Sequence, residues 1–329
     1  MLKTILKRIL QSIPTLLIVI TITFVLTRMI PGNPARTILG PQASAQDIAE
    51  MEIKLGLNKS KLEQYADYMI GILHGDFGTS YVYNRPVTSL IAERIPNTLV
   101  ITLTSLVIAI FIGVGIGVLS AIKQYSILDY IFMILALVGV SMPIFWLGLM
   151  LVNLFSVQLG WLPALGMGSM SKGIGDVISH MVLPCFCLAT IPTATFARIT
   201  RSSMLEVIHS DSIKALRARG IKESSSRPIC SLVLSARPVS GSSRKLPPIV
   251  TVLGLQLASA FTGAILTESI FSWPGMGTMI VSAIDNRDYM LIQGTVLFIA
   301  VVFVVVNLLV DVVYMIINPR VSYDSKGGN

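Results

Sequence analysis

The side chains that most often perform chemistry are scarce and scattered in this chain of 329 residues. Its three histidines, His74, His180 and His209, lie far apart in the sequence, and neither HExxH nor GxSxG occurs. The nearest approach to a phosphate-binding GxxxxGK[ST] loop is GMGSMSKG at Gly166–Gly173, which has the wrong spacing. We therefore expect no catalytic residue, metal site or cofactor in this chain. If the function uses ATP, another subunit must bind it.

Ionisable side chains inside apolar stretches are the next candidates, because a central charge costs about 2.5–3.5 kcal/mol on insertion scales. Asp311 is such a residue, and we expect it to pair with Arg198 or Arg201 or to reach water. Glu268 lies near the end of another apolar stretch. It could face a water-filled path or be solvated at the membrane interface, and the sequence leaves both open.

The strongest cluster of basic residues lies between two long apolar stretches. Ten Lys or Arg fall between Arg198 and Lys245, and the first half of this loop reads HSDSIKALRARGI from His209 to Ile221. A basic helix between membrane spans indicates that this loop contacts a cytoplasmic partner.

The composition indicates a membrane protein. Hydrophobic residues make up 53% and charged residues 13% of the chain, with a mean hydropathy of +0.76, so charges are too few to cover a water-soluble globule. The net charge of +8 is not accompanied by interleaved aromatic and basic residues, which argues against nucleic acid. Basic loops facing anionic lipid explain the excess better.

Six segments have the length of about 20 residues that a helix needs to cross a bilayer. This predicts an all-α, polytopic fold. The segments are Ile9–Ile30, Thr98–Ile122, Tyr130–Leu159, Val177–Ile199, Ile249–Phe271 and Leu291–Ile317. Within the second, Gly113 and Gly117 form a GxxxG spacing that lets another helix approach closely.

The orientation follows from the basic residues. They concentrate before the first segment, between the second and third, between the fourth and fifth, and after the sixth. The positive-inside rule places these four regions, and with them both termini, in the cytoplasm.

The region from Pro31 to Pro96 is the only sizeable external segment. Ser60 and Glu63 form a capping box, after which apolar residues recur at helical spacing until Gly75. We predict an amphipathic helix here, lying on the outer membrane surface or on the tops of the spans.

Motifs along most of the chain resemble a known family in both order and spacing. They are RMIPGNPAR (Arg28–Arg36), GDFGTS (Gly75–Ser80), SMPIFWLGLML (Ser141–Leu151), LGWLPALG (Leu159–Gly166), ARITRSSMLEV (Ala197–Val207), TVLGLQLASAFTGAILTESIFSWPGMG (Thr251–Gly277), RDYMLIQG (Arg287–Gly294) and NLLVDVVYMIINPR (Asn307–Arg320). The chain resembles the B-type permease subunit of bacterial ABC importers for dipeptides and oligopeptides. That group also includes nickel and glutathione permeases.

The resemblance implies a MetI-like permease fold in the bacterial cell membrane. It also implies a second, similar permease subunit, two cytoplasmic ATPase subunits that use the ATP, and an extracytoplasmic substrate-binding protein. We divide the chain into an N-terminal anchor with the external region (1–96), a permease domain (97–320) whose docking loop covers about 200–247, and a short cytoplasmic tail (321–329).

In such permeases the loop after the fourth of these spans carries an EAA-type motif that docks on the ATPase. Here the motif corresponds to small or turn-forming residues with a basic set between them. They are Asp211, Ala215, Ala218 and Gly220, with Lys214, Arg217 and Arg219. The small side chains let the helix seat deeply, and the glycine permits a sharp turn.

Two departures from the family pattern affect this loop. Ser212 stands where the family usually has Tyr. The segment Ser224–Lys245 holds eight Ser and two Pro in 22 residues and lacks the helical periodicity that the second half of the docking element needs. We interpret it as a local out-of-frame reading, which the coding DNA would test. The alternative is a genuine insertion that forms a solvated loop.

The sequence therefore favours an ABC importer permease for peptides, with a nickel-chelate or glutathione importer as the alternative. An ion-coupled secondary transporter is the rival from another class. It should show buried ionisable groups in broken helices together with internal repeats, and neither is clear here.

Overall fold

The computed structural model describes residues 2–29, 32–40, 42–209, 256 and 263–317. Throughout these ranges the regular structure is helical, apart from one isolated antiparallel bridge between Thr79 and Pro86. The predicted docking element Asp211–Gly220 and the segment Ser224–Lys245 lie outside the described residues.

The described helices, in chain order, are α1 (Leu2–Met29), α2 (Pro34–Leu39), α3 (Ala45–Lys54), α4 (Lys61–Leu73), α5 (Val87–Ile122), α6 (Ile127–Ser141), α7 (Ile144–Leu151), α8 (Ile174–Ile208), α9 (residues 263–270), α10 (Met276–Asp285) and α11 (Tyr289–Ile317). A π-helix, Val152–Gln158, continues α7, and a short 3-10 turn, Met170–Lys172, precedes α8.

Four of the described helices, α1, α5, α8 and α11, are long and apolar enough to cross a membrane. They coincide with four of the six predicted segments, although α5 begins at Val87, well before the predicted Thr98. The predicted span Ile249–Phe271 is described mainly in its last part, where α9 is helical.

The predicted span Tyr130–Leu159 is broken rather than continuous. Helix α6 ends at Ser141, α7 begins at Ile144, and the two parts are bent by 106°. Pro143 explains the break, because proline has no N–H for the helical ladder and disfavours a helical conformation of the residue before it. Met142 accordingly has an extended backbone, with φ −78° and ψ 131°.

The chain divides into two compact units. Unit 1 contains Met1–Val100, Leu165–Met167 and Ala264–Leu308, and unit 2 contains Ile101–Ala164, Gly168–Gly263 and Leu309–Asn329. Helix α5 contributes its first part to unit 1 and the remainder to unit 2. A buried cluster from α5, α10 and α11, including Val87, Met279 and Leu291, forms part of the core of unit 1.

The amphipathic helix predicted in the external region is confirmed as α4, including its capping box at Ser60 and Glu63. Its partly buried Tyr65, Met69 and Ile72 pack on a cluster that holds Ile20 and Phe24 of α1, Tyr68 of α4 itself and Leu297 of α11. The helix therefore lies on spans of unit 1. Its ends are less buried than the apolar pattern predicts, since Leu62 and Leu73 are each 81% exposed.

Candidate functional site

Close packing of two spans in unit 2 depends on the GxxxG pair of α5. A Cβ atom built on Gly113 would lie 2.6 Å from the carbonyl oxygen of Thr193, and one on Gly117 would lie 2.6 Å from that of Ala197. Real Cβ atoms do not approach backbone this closely, so only glycine fits at both positions. The prediction that this spacing admits a second helix is confirmed, and the second helix is α8.

A partly buried ion pair joins α6 to α8 beside this contact. The guanidinium of Arg201 donates from Nε to Oδ1 of Asp129 and from Nη2 to Oδ2, each at 2.7 Å. The Asp129 side chain is 2% exposed and that of Arg201 is 25% exposed. Such a bidentate pair fixes the orientation of both side chains as well as their separation.

The same carboxylate also organises the connection between α5 and α6. The backbone N–H of Tyr125 donates to Oδ2 of Asp129 at 3.1 Å, and the N–H of Asp129 donates to the hydroxyl of Ser126, the N-cap of α6. Tyr125 has a φ of +62°, a left-handed conformation that this hydrogen bond helps to hold. Asp129 of α6 therefore bonds both to the α5–α6 connection and to α8.

The sequence did not single out Asp129, although a signal was present. Ser126 and Asp129 have the spacing of an N-cap residue and its third helical residue, directly before an apolar run. That pattern identifies a helix start, but it does not reveal that the carboxylate also meets an arginine 72 residues later.

The intramembrane charges predicted from the sequence are placed as follows. The structure pairs Arg201 with Asp129 and not with Asp311. Arg198 is exposed on α8 and Asp311 is half-buried on α11. A pairing between these last two stays a prediction.

Glu268 is fully buried in unit 1, at the end of α9. Its Oε2 accepts a hydrogen bond of 2.5 Å from the backbone N–H of Gly277, in the first turn of α10. The carboxylate also lies so close to Gly275 that a Cβ there would overlap it. Accepting this N–H satisfies one of the backbone donors that a helix start leaves free, so within unit 1 Glu268 caps α10.

The first part of α5 also holds the turn between α9 and α10. The indole N–H of Trp273 donates to the carbonyl oxygen of Asn97 at 3.0 Å, and the amide of Asn97 donates to the carbonyl of Pro274 at 2.8 Å. The N–H of Met276 donates to the hydroxyl of Thr98 at 2.9 Å. The SWPGMG motif is thus a rigid corner in unit 1, with its tryptophan completely buried.

These contacts hold helices against one another. Among the described residues, no group of three or more His, Cys, Asp or Glu could hold a metal ion. In unit 2, glycine contacts and a bidentate ion pair hold α5 and α6 close to α8. Helix α8 ends at Ile208, shortly before the predicted docking element.

Two family profiles match the chain. One is described as a binding-protein-dependent transport system inner membrane component and matches residues 113–226 and 245–323. The other describes the N-terminal part of such a membrane component and matches residues 1–102. The interruption between 226 and 245 falls within the segment Ser224–Lys245, which departs from the family pattern.

Curated relatives match over nearly the full length. The dipeptide transport system permease protein DppB of Alkalihalophilus pseudofirmus is 43% identical over 337 aligned positions, covering 96% of this chain and 98% of the relative. The glutathione transport system permease protein GsiC of Escherichia coli K12 is 38% identical over 323 positions, covering 98% of this chain and all of the relative.

A solved structure supports the fold independently. An inward-facing form of the MetNI methionine ABC transporter has a chain that superposes with a TM-score of 0.50 at 16% identity, covering 70% of this chain and 97% of the other. This agrees with the expected MetI-like fold. The chain belongs to the family of inner membrane components of binding-protein-dependent transport systems, and it is a permease subunit of a bacterial ABC importer.

Proposed function

We propose that this permease forms a translocation path for dipeptides or short oligopeptides. The observation that carries the proposal is the 43% identity to a dipeptide permease over 96% of the chain. Glutathione is the second candidate, because the glutathione permeases match at 38–40% identity over 98% of the chain. Glutathione is itself a small peptide, so both candidates belong to one chemical class.

In this proposal the permease works with a second, similar subunit, two ATPases and an extracytoplasmic binding protein. The names of the family and of the relatives support a binding-protein-dependent system. The docking element Asp211–Gly220 would seat in a groove of one ATPase, with Lys214, Arg217 and Arg219 providing polar contacts. ATP binding and hydrolysis then belong to the partner subunits.

The chain's own contribution is movement rather than catalysis. Closure of the ATPases would shift the docking element, and α8 would transmit that shift to the spans packed on it as a rigid-body switch between inward-open and outward-open states. The close contacts of Gly113 and Gly117 with α8 support this mechanism, because helices at such short separation move together.

Uptake by the reconstituted importer tests the substrate. The complex, in proteoliposomes with its cognate binding protein, is given ATP and a labelled dipeptide, glutathione or a nickel chelate in parallel. ATP-dependent uptake of the dipeptide supports the proposal. Uptake of glutathione or nickel chelate without dipeptide uptake would assign the chain to that substrate instead.

Co-purification tests the docking element. The bulky variant Gly220→Trp should lose the ATPase subunits while the chain still inserts in the membrane. Gly175→Trp is a matched control, because Gly175 stands in open space in the first turn of α8. Retention of the ATPases by Gly220→Trp at the level of the control would rule out docking at this position.

A further inference from the structure

The Asp129–Arg201 pair lies directly before the part of the chain that is predicted to dock on the ATPase. Helix α8 continues from Arg201 to Ile208, and Asp211, the first residue of the docking element, follows shortly after. A displacement at Ile208 therefore reaches Arg201 through two turns of continuous helix. The pair is one of the contacts through which α6 would receive it, and it is a bidentate hydrogen-bonded one.

The contact is suited to transmit rotation as well as translation. Two parallel hydrogen bonds of 2.7 Å resist turning of α8 about its own axis, which a single-point contact would allow. On the same turn of α8, Gly117 of α5 lies against Ala197 and Thr200, and it also approaches the backbone nitrogen of Arg201. Both α5 and α6 are thus held to the same short stretch of α8.

The Asp129 side of the pair is buried, at 2% exposed, whereas Arg201 is 25% exposed. The cost of removing two charges from water cancels much of their attraction, so apolar residues of similar volume often serve a buried site equally well. An ion pair also imposes a defined geometry, because an arrangement that leaves one buried charge without its partner has a high free energy. Such a defined geometry would keep α6 and α8 in a fixed relative orientation while the two helices move.

We propose that Asp129 and Arg201 are positioning residues that couple the docking loop to α5 and α6, so that ATPase closure moves these helices together. The proposal rests on the proposed function, because it takes the loop after α8 to be the ATPase-docking element. It predicts that weakening the pair uncouples ATP hydrolysis from transport without preventing assembly.

The test uses the full importer with Asp129→Asn and Arg201→Lys. The lysine keeps the charge and loses the planar, bidentate contact. Asp67→Asn is the control, since it removes the exposed Lys59–Asp67 pair of the external region. Substrate transported per ATP hydrolysed is measured together with the stimulation of ATPase activity by the binding protein. We expect both to fall about tenfold in the two variants, within the usual range of coupling free energies, and to stay unchanged in the control.

Three outcomes would overturn the proposal. One is an unchanged transport-to-ATP ratio with unchanged stimulation. The second is a loss of uptake and ATPase activity in proportion to the amount of assembled complex, which marks a purely structural pair. The third is failure of Asp129→Asn and Arg201→Lys alike to assemble with the ATPases. If the wild-type importer takes up none of the tested substrates, the proposed substrate is wrong, whereas the stimulation of ATPase activity still reports on the pair.

Discussion

Gly117 of α5 lies against the backbone of Ala197 in α8, so that a Cβ atom at position 117 would stand 2.6 Å from the Ala197 carbonyl oxygen. Gly115, two residues earlier on the same helix, has nothing within 4 Å of the equivalent position. Both glycines lie in the same apolar sequence, GVGIG, but their surroundings in the structure differ. Only one of them belongs to the helix contact.

This difference predicts opposite results for the same substitution. Gly117→Ala must push α5 away from α8 and should lower stability by about 1–3 kcal/mol, as expected for overpacking. Gly115→Ala meets open space and should be neutral or slightly stabilising, because alanine favours helix. The thermal unfolding midpoint of the detergent-purified importer would distinguish them. Equal effects of the two substitutions would contradict the packing described for α5 and α8.

Loss of the Glu268 carboxylate should loosen the corner between α9 and α10. Glu268→Ala leaves the N–H of Gly277 without its acceptor and opens a cavity, and an unsatisfied buried group costs about 1–3 kcal/mol. Glu268→Gln keeps a carbonyl oxygen and should cost less. Ser269→Ala is the control, since among the described residues that hydroxyl bonds the Ile265 carbonyl within its own helix alone. We expect the unfolding midpoint to be highest for Ser269→Ala, lower for Glu268→Gln and lowest for Glu268→Ala.

Asp288 anchors the loop of residues 77–86 in unit 1, and its removal should open that loop. Its buried carboxylate accepts hydrogen bonds from the hydroxyl of Ser80 and the backbone N–H of Val82. Asp288→Asn should therefore increase amide hydrogen exchange in residues 77–86, measured by mass spectrometry. Asn286→Ala is the comparison, because the exposed Asn286 side chain bonds to Ser282 alone within the described part of the chain. Equal exchange in both variants would mean that Asp288 does not hold the loop.

The capping box of α4 predicts a dependence on pH. Hydrogen bonds from the backbone and hydroxyl of Ser60 lower the pKa of Glu63 below its ordinary value of 4.5. A carboxylate with a lowered pKa stabilises the fold above its unfolded pKa, and this contribution is lost as the pH falls through the folded pKa. Protection of the first amides of α4 should then decline in acid, after correction for intrinsic exchange rates. Glu63→Gln should show no such decline.

Substitution of the N-cap itself gives an effect at neutral pH. Ser60→Ala removes the acceptor for the N–H of Glu63 and should destabilise α4 by about 1 kcal/mol. Ser89→Ala is a suitable comparison, because the Ser89 hydroxyl accepts its hydrogen bond from the exposed Arg85 side chain and not from α4. Exchange of the α4 amides that is identical in the two variants would contradict the capping role.

Local rules of helix formation explain which expectations succeeded. The capping box, the apolar periodicity after it and the length of the apolar segments act between residues close in sequence, so α4 and four long helices were predictable. The break at Met142–Pro143 was also encoded locally. A proline alone does not decide between a kink and a 106° bend, because that depends on what packs on either side.

Pairings between distant side chains were not predictable in the same way. Arg201 had several acids available in apolar segments, and the sequence suggested Asp311, yet the partner is Asp129. Glu268 was expected to meet water and instead meets the backbone of α10. An ion pair or cap is chosen by which helices stand side by side, and that information is not contained in spacing along one helix.

The sequence by itself determined that this chain is a helical membrane permease of a known family, because membrane insertion and helix capping depend on local composition and because the family motifs keep their order. The tertiary structure alone decided which glycine admits α8 and which acid holds Arg201. The physical reason is that close packing and charge pairing act over a few ångströms, whatever the separation in sequence.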